Sequence, residues 1–293
     1  MDQFLQQMVN GISLGSIYAL IALGYTMVYG IIKLINFAHG DVYMIGAYVG
    51  FAATTYAKLG FFPALIISMI SCAVLGMVIE KVAYKPLRLS SRIAVLITAI
   101  GVSLLLEYVM MFFVGAEVRS YPSILPEKTY PLVGDVRITF QQICIILTSI
   151  ALMLLLQFIV HKTKTGKAMR AVSIDPDAAQ LMGIKVDRTI SFTFAIGSAF
   201  AGAAGVLVGI YYNSIDPLMG IMPGLKAFVA AVFGGIGSIP GAMIGGLSIG
   251  IMETLVSGYG NSMYRDAAVF AFLIIILIFK PAGLLGKNTR EKV

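Results

Sequence analysis

Long apolar runs follow one another along this chain, with mostly short polar segments between them, and nothing else constrains its fold as strongly. Nine can be counted, at about 11–35, 42–56, 62–79, 93–114, 143–160, 189–212, 225–236, 242–257 and 267–279. A helix needs roughly 20 apolar residues to cross a bilayer's hydrocarbon core. Charged residues make up 12% of the chain, about half the ~25% usual for a soluble domain. The expectation is an all-α, polytopic transmembrane helical bundle forming a single domain over 1–293. The runs at 42–56 and 225–236 are short. Either fits a broken helix or a re-entrant segment, since irregular backbone survives at membrane depth only where protein or water surrounds it. The expected number of membrane segments is therefore about 8–10.

Charge sets the orientation. The loop at 81–92 carries Lys81, Lys85, Arg88 and Arg92; further basic clusters lie at 161–188 and 280–293. Loops rich in Lys and Arg stay on the cytoplasmic side. The segment 116–142 balances three basic residues with Glu117, Glu127 and Asp135 and is expected outside. The alternation places the N-terminus outside and the C-terminus in the cytoplasm. The net charge of +7 is thus a membrane signal, and no nucleic-acid partner is expected. Asp2 follows Met1 with no basic stretch before the first run, so a cleaved signal peptide is not expected.

The longest interruption on the basic side is 161–188, and it reads as folded. Asp175 is an N-cap acceptor, and Pro176 stands where a missing N–H is harmless. Asp177 suits the first turn electrostatically. Ala178, Leu181 and Met182 form a short apolar stripe, and Gly183 is a natural stop. Such an element either packs on its own protein or the lipid headgroups, or docks on a partner.

The cluster Asn36-Phe37-Ala38-His39-Gly40-Asp41 sets three polar side chains between two apolar runs. Polar groups at a helix break in a bilayer often serve function, Asn36 capping the next helix and His39 sensing protons or donating a hydrogen bond; the other reading is a cytoplasmic turn with His39 and Asp41 solvated. Glu80, Glu107 and Glu253 lie in or at the ends of apolar runs. They are what a proton-coupled carrier would need, or carboxylates paired with nearby Lys or Arg. Gly197, Gly205, Gly209, Gly237, Gly241 and Gly245 fall at four-residue multiples, the spacing of close helix packing. Gly15–Ala22 and Gly197–Ala204 share a texture of small residues that falls short of a repeat.

Enzymatic chemistry has little support. Cys72 and Cys144 lie in apolar runs and form no C-x-x-C pair, so neither a metal nor another cofactor is expected. The run Lys162–Lys167 contains Gly-Lys, but Ala168 stands where a P-loop needs Ser or Thr and His161 where it needs its first glycine.

Three stretches together carry a family resemblance: the segment from Gly15 to Gly30 (GSIYALIALGYTMVYG), the Asn36–Asp41 cluster, and the segment from Phe233 to Gly246 (FGGIGSIPGAMIGG). They resemble the permease subunits of branched-chain amino acid ATP-binding cassette (ABC) importers, of the LivH type, over nearly the whole chain. Asp41 replaces the Glu usual there, with the charge kept. Within 161–188, Thr165-Gly-Lys-Ala-Met-Arg170 and Ala179-x-x-Met-Gly-Ile184 are similar to that family's ATPase-docking loop. The resemblance implies a non-catalytic permease that moves Leu, Ile or Val by alternating access. Its partners would be a second, homologous permease, two cytoplasmic ATP-binding subunits and an extracytoplasmic substrate-binding protein, in a bacterial cytoplasmic (inner) membrane. Gly166, Arg170, Asp175, Pro176, Ala179, Leu181 and Gly183 are the expected coupling surface. Asn36, His39 and Asp41 are the expected lining of the translocation path. The rivals are a stand-alone carrier or channel for amino acids, urea or small amides, and a membrane-embedded enzyme or scaffold.

Overall fold

The computed structural model describes residues 1–88, 90–132 and 134–286; of the basic 280–293 tail, the part beyond 286 lies outside the described residues. Among the described residues, seven helices are long and apolar enough to cross a membrane. They are α1 (Asp2–Ile32), α3 (Phe61–Ile79), α4 (Arg92–Val114), α5 (Phe140–Lys162), α8 (Val186–Tyr212), α10 (Ile239–Tyr259) and α11 (Arg265–Phe279), the last counted with the 3-10 turn Ser262–Tyr264 that leads into it. Helix α3 runs on through a π turn, Glu80–Tyr84, and a 3-10 turn, Lys85–Leu87. Two further helices, α2 (His39–Thr55) and α9 (Ile221–Gly234), are too short for a full crossing. Helices α6 (Lys164–Ile174) and α7 (Pro176–Leu181) occupy the basic interruption.

Helix α1 begins nine residues before its apolar run because its first turns are used. Gln6 exchanges hydrogen bonds with the backbone of Arg137 (3.0 and 2.9 Å), and Gln3 donates to the Gly258 carbonyl. It ends at Ile32, short of the expected 35, where Lys33 turns left-handed at φ 56°. The segment 116–142 is not plain loop. Its strand β1 (Arg119–Ser120) pairs with β4 (Ser214–Ile215), and β2 (Thr129–Pro131) pairs with β3 (Arg137–Thr139). These ribbons mark one end of the bundle; the basic loops mark the other.

Helix α8 is the axle: 94% of its apolar window is buried, against 78% for α1 and only 17% and 6% for α4 and α11. Small residues set the packing. Gly11 of α1 meets Thr254 of α10, and Gly15 meets Gly250 and Gly246. On the other side of the bundle, Ser198 of α8 meets Gly76 of α3, and Gly202 meets Cys72 and Ser68. The two ladders match step for step, every rung four residues from the next. The segments α1–α2–α3 and α8–α9–α10 are therefore inverted counterparts. Each is a long helix, a break, a short helix and a return.

The breaks fall at depth. His39, first residue of α2, packs at Gly24, roughly two turns or about 12 Å from α1's basic end. Residues 33–38 thus climb into the bundle before α2 begins. Gly220, just before α9, touches Gly40; here residues 216–220 descend from the ribbon end. The starts of α2 and α9 consequently meet inside the bundle, and the two helices run to opposite ends. At its far end α9 is clasped by the segment after α11. Leu284 and Leu285 donate backbone N–H groups to the carbonyls of Phe233 and Gly234 at 2.8 and 2.9 Å.

Candidate functional site

Where α2 and α9 begin, a cavity of about 270 Å³ opens against α4. Its apolar wall comes from Ile100 and Leu104 of α4 and Ile221 and Leu225 of α9. Tyr25, Phe37 and the glycines 40, 220 and 224 close the back. Two carboxyl groups face it: Asp41, 2% exposed, and Glu107, 6% exposed. Ser103 donates a hydrogen bond to Asp41, and Glu107 is the neighbouring acid on the same cavity. Asp41 sits in the first turn of α2, where the helix dipole favours negative charge. Glu107, in mid-helix, has no such support.

Gly40 shows why the junction needs glycine. A Cβ there would lie 2.5 Å from the Gly220 carbonyl oxygen and 3.3 Å from Gly224, so any side chain would part the two helix starts. Two positive helix ends beside two acids give a site of mixed polarity, the arrangement broken membrane helices provide for charged and zwitterionic ligands.

The polar cluster does not act as one unit. Asn36 does not cap α2, whose N-cap is Ala38; its side-chain oxygen accepts from the Tyr84 hydroxyl at 2.9 Å and ties the break to α3's π turn. His39 is buried behind the cavity, edge-on to Tyr25 at 4.8 Å, with Nε2 unpartnered. Of the three residues expected to line a path, Asp41 alone lines this cavity; Asn36 and His39 hold the break together.

The other two acids are paired. Glu80, fully buried, forms an ion pair with Arg88 and accepts from Ser191 at 2.6 Å. Glu253 meets Lys226 at 2.8 Å and accepts from the Tyr18 hydroxyl at 2.8 Å; Lys226 also reaches Asp266 at 2.6 Å. Lys226 is 3% exposed, and sequence reasoning missed it. Its one signal is that it stands alone as a lysine inside an apolar run. The acids that neutralise it lie on α10 and α11, and only the packing of those helices against α9 brings them together.

At the basic end, Thr163 caps α6, accepting from Gly166 N–H at 3.1 Å. Gly166 sits against the carbonyls of Ile159 and Val160, and Arg170 donates to the Val160 carbonyl. Helix α6, absent from the sequence expectation, buries Gly166, Met169 and Val172 at three-residue intervals. Asp175 caps α7 through Asp177 and Ala178 N–H groups, both at 2.9 Å, with Pro176 at the first position. Gly183, at φ +82°, ends it: Ile184 N–H bonds the Ala179 carbonyl and Gly183 N–H that of Gln180. Ala179 is buried. Thus Gly166, Arg170, Asp175, Pro176, Ala179 and Gly183 build the element, and Leu181 is the one of the seven with a large apolar side chain outward. It is 89% exposed, with Ile174 at 86% and Met182 at 83% beside it.

The packing glycines also divide. Gly197 lies against Gly24, whose carbonyl oxygen is 3.3 Å from where a Cβ would stand. Gly205 lies against Gly46 and Ala47 of α2, and Gly209 against the Tyr121 ring. Gly241 and Gly245 meet Gly234 at the α9–α10 hairpin. Gly237 is a turn residue at φ +92°, with nothing closer than 3.8 Å to the place of a Cβ.

A multi-pass bundle with inverted halves, two broken crossings and a mixed-polarity cavity where the breaks meet is the architecture of a membrane transport protein. The family described as "Branched-chain amino acid transport system / permease component" matches residues 7–279, and the chain belongs to it. The high-affinity branched-chain amino acid transport system permease protein LivH of Escherichia coli (strain K12) is 46% identical over 99% of this chain and 98% of its own length. BraD of Pseudomonas aeruginosa, a permease protein of the same description, is 43% identical over the same shares. LivM of E. coli is 23% identical over 93% of this chain and 68% of its own.

Proposed function

We propose that this chain is one permease subunit of an ABC importer for the branched-chain amino acids Leu, Ile and Val. Its full-length likeness to permeases so described carries the reading. It sits in the cytoplasmic (inner) membrane of a bacterium as a single domain, with the ribbon end and N-terminus outside and the basic end and C-terminus in the cytoplasm. Its second permease is a homologue of the LivM kind. Two ATP-binding subunits and an extracytoplasmic binding protein complete the importer.

The segment 161–188 is the coupling element. Two capped helices that show Ile174, at the end of α6, and Leu181 and Met182, at the end of α7, to solvent suit an apolar cleft on an ATPase, since such side chains gain most when covered. Helix α6, with Gly166 against α5 and Met169 and Val172 buried, then carries the push into the bundle. ATP-driven movement of α6–α7 rocks the two inverted halves and alternates access to the cavity at α2, α4 and α9.

The test is purification in mild detergent followed by transport. Two nucleotide-binding subunits and a second permease should co-elute. Leu181→Asp with Met182→Asp should lower ATP-dependent leucine uptake at least tenfold with normal amounts of permease in the membrane. A lone protein that transports leucine without ATP would overturn the reading.

A further inference from the structure

Among the described residues there are three buried carboxylate sites within the helix bundle, and two of them have a cation. Glu80 has Arg88 and Glu253 has Lys226. Among the described residues, no Lys, Arg or His forms an ion pair with Asp41 or Glu107. Two like-charged groups buried side by side on one cavity need either a proton on one of them or a cation from outside. The uncompensated pair is also the pair that faces a cavity. Glu107 is buried, lies beside Asp41 on the cavity wall, and receives no side-chain hydrogen bond from any of the described residues.

We propose that Asp41 and Glu107 seat the α-ammonium group of the amino acid in transit, with Ser103 holding Asp41 in place. This rests on the importer reading above and adds the residues that recognise the substrate inside the membrane. An ammonium brings one positive charge and three donors to two acceptor groups. The substrate's branched side chain then lies along Ile100, Leu104, Ile221 and Leu225, and its carboxylate lies toward the positive start of α9. Glu107 is a positioning and specificity residue in this scheme, and no bond is made or broken.

The assembled importer in proteoliposomes loaded with ATP, supplied with radiolabelled leucine, tests this. Wild type should accumulate leucine; if it does not, the importer reading itself fails and the seat with it. Glu107→Gln keeps the shape and mimics a protonated carboxyl. It should lower uptake at least tenfold, while Glu107→Asp, which keeps the charge, retains at least a third. Uptake by Glu107→Gln within twofold of wild type means the pair merely shares a proton, and overturns the seat. Equal losses in the Gln and Asp variants, at normal amounts of assembled importer, mean a structural carboxyl and overturn it as well.

Discussion

Glu253 and Glu107 belong to different helices of one bundle, α10 and α4, and both are hidden from water. Around Glu253 the protein has supplied what a buried charge requires: Lys226 at 2.8 Å, a tyrosine hydroxyl, and Asp266 closing the network on the far side of the lysine. Around Glu107 it has supplied a second acid and an open cavity. The first arrangement is self-contained and fixes α9 to α10 and α11. The second is incomplete by itself, and incompleteness at a cavity is what a transport site needs. A site that satisfied its own charges would have no reason to admit a ligand.

That contrast can be broken in three places. Lys226→Met should have the largest effect, because it removes the one buried cation that bridges Glu253 and Asp266 and leaves them only the half-exposed Arg265, 3.7 and 3.5 Å away. Removing one partner of a buried pair costs about 3–5 kcal/mol, so the thermal midpoint of the purified permease should fall steeply. Adding Glu253→Leu should recover much of the loss. A double variant as unstable as the single would mean that Lys226 acts through packing alone.

Arg88→Ala should cost less, about 1–3 kcal/mol, since Glu80 keeps its bond from Ser191 and Arg88 is partly solvated. Denaturation in detergent measures it; a loss as large as that of Lys226→Met would show that Glu80 leans on the arginine entirely. The smallest effect belongs to Glu107→Gln, which relieves one of two adjacent acids. The thermal midpoint of that variant should hold or rise slightly in the absence of amino acid. A fall comparable to Lys226→Met would place Glu107 with the structural acids and erase the distinction.

Much of this fold can be read from the letters. The long runs give the seven full spans, and Asp175, Pro176 and Gly183 mark both ends of α7 because caps and stops are local chemistry. The short runs at 42–56 and 225–236 foretell the two broken crossings. The inverted relation of the halves is harder, because it resides in which helix meets which. Gly15 and Gly202 occupy equivalent rungs although their neighbours in sequence differ. Helix α6 hides for another reason: it buries few residues, Met169 and Val172 among them, and lies close on α5 through Gly166, which offers no apolar side chain to read. The cavity is only half legible. Asp41 stands in a conspicuous polar cluster, but its partner Glu107 comes from a different helix, and no spacing along the chain announces a meeting made by tertiary packing.

The clasp of Leu284 and Leu285 on the end of α9 has a practical side. By its position this short stretch looks like a trailing appendage that could be cut or tagged at will. Its amides are instead locked to the carbonyls of a half-helix, so in hydrogen exchange they should be as slow as α9 itself. A reporter or affinity handle inserted at Pro281 would unfasten that helix. One placed after Gly286 would leave it fastened.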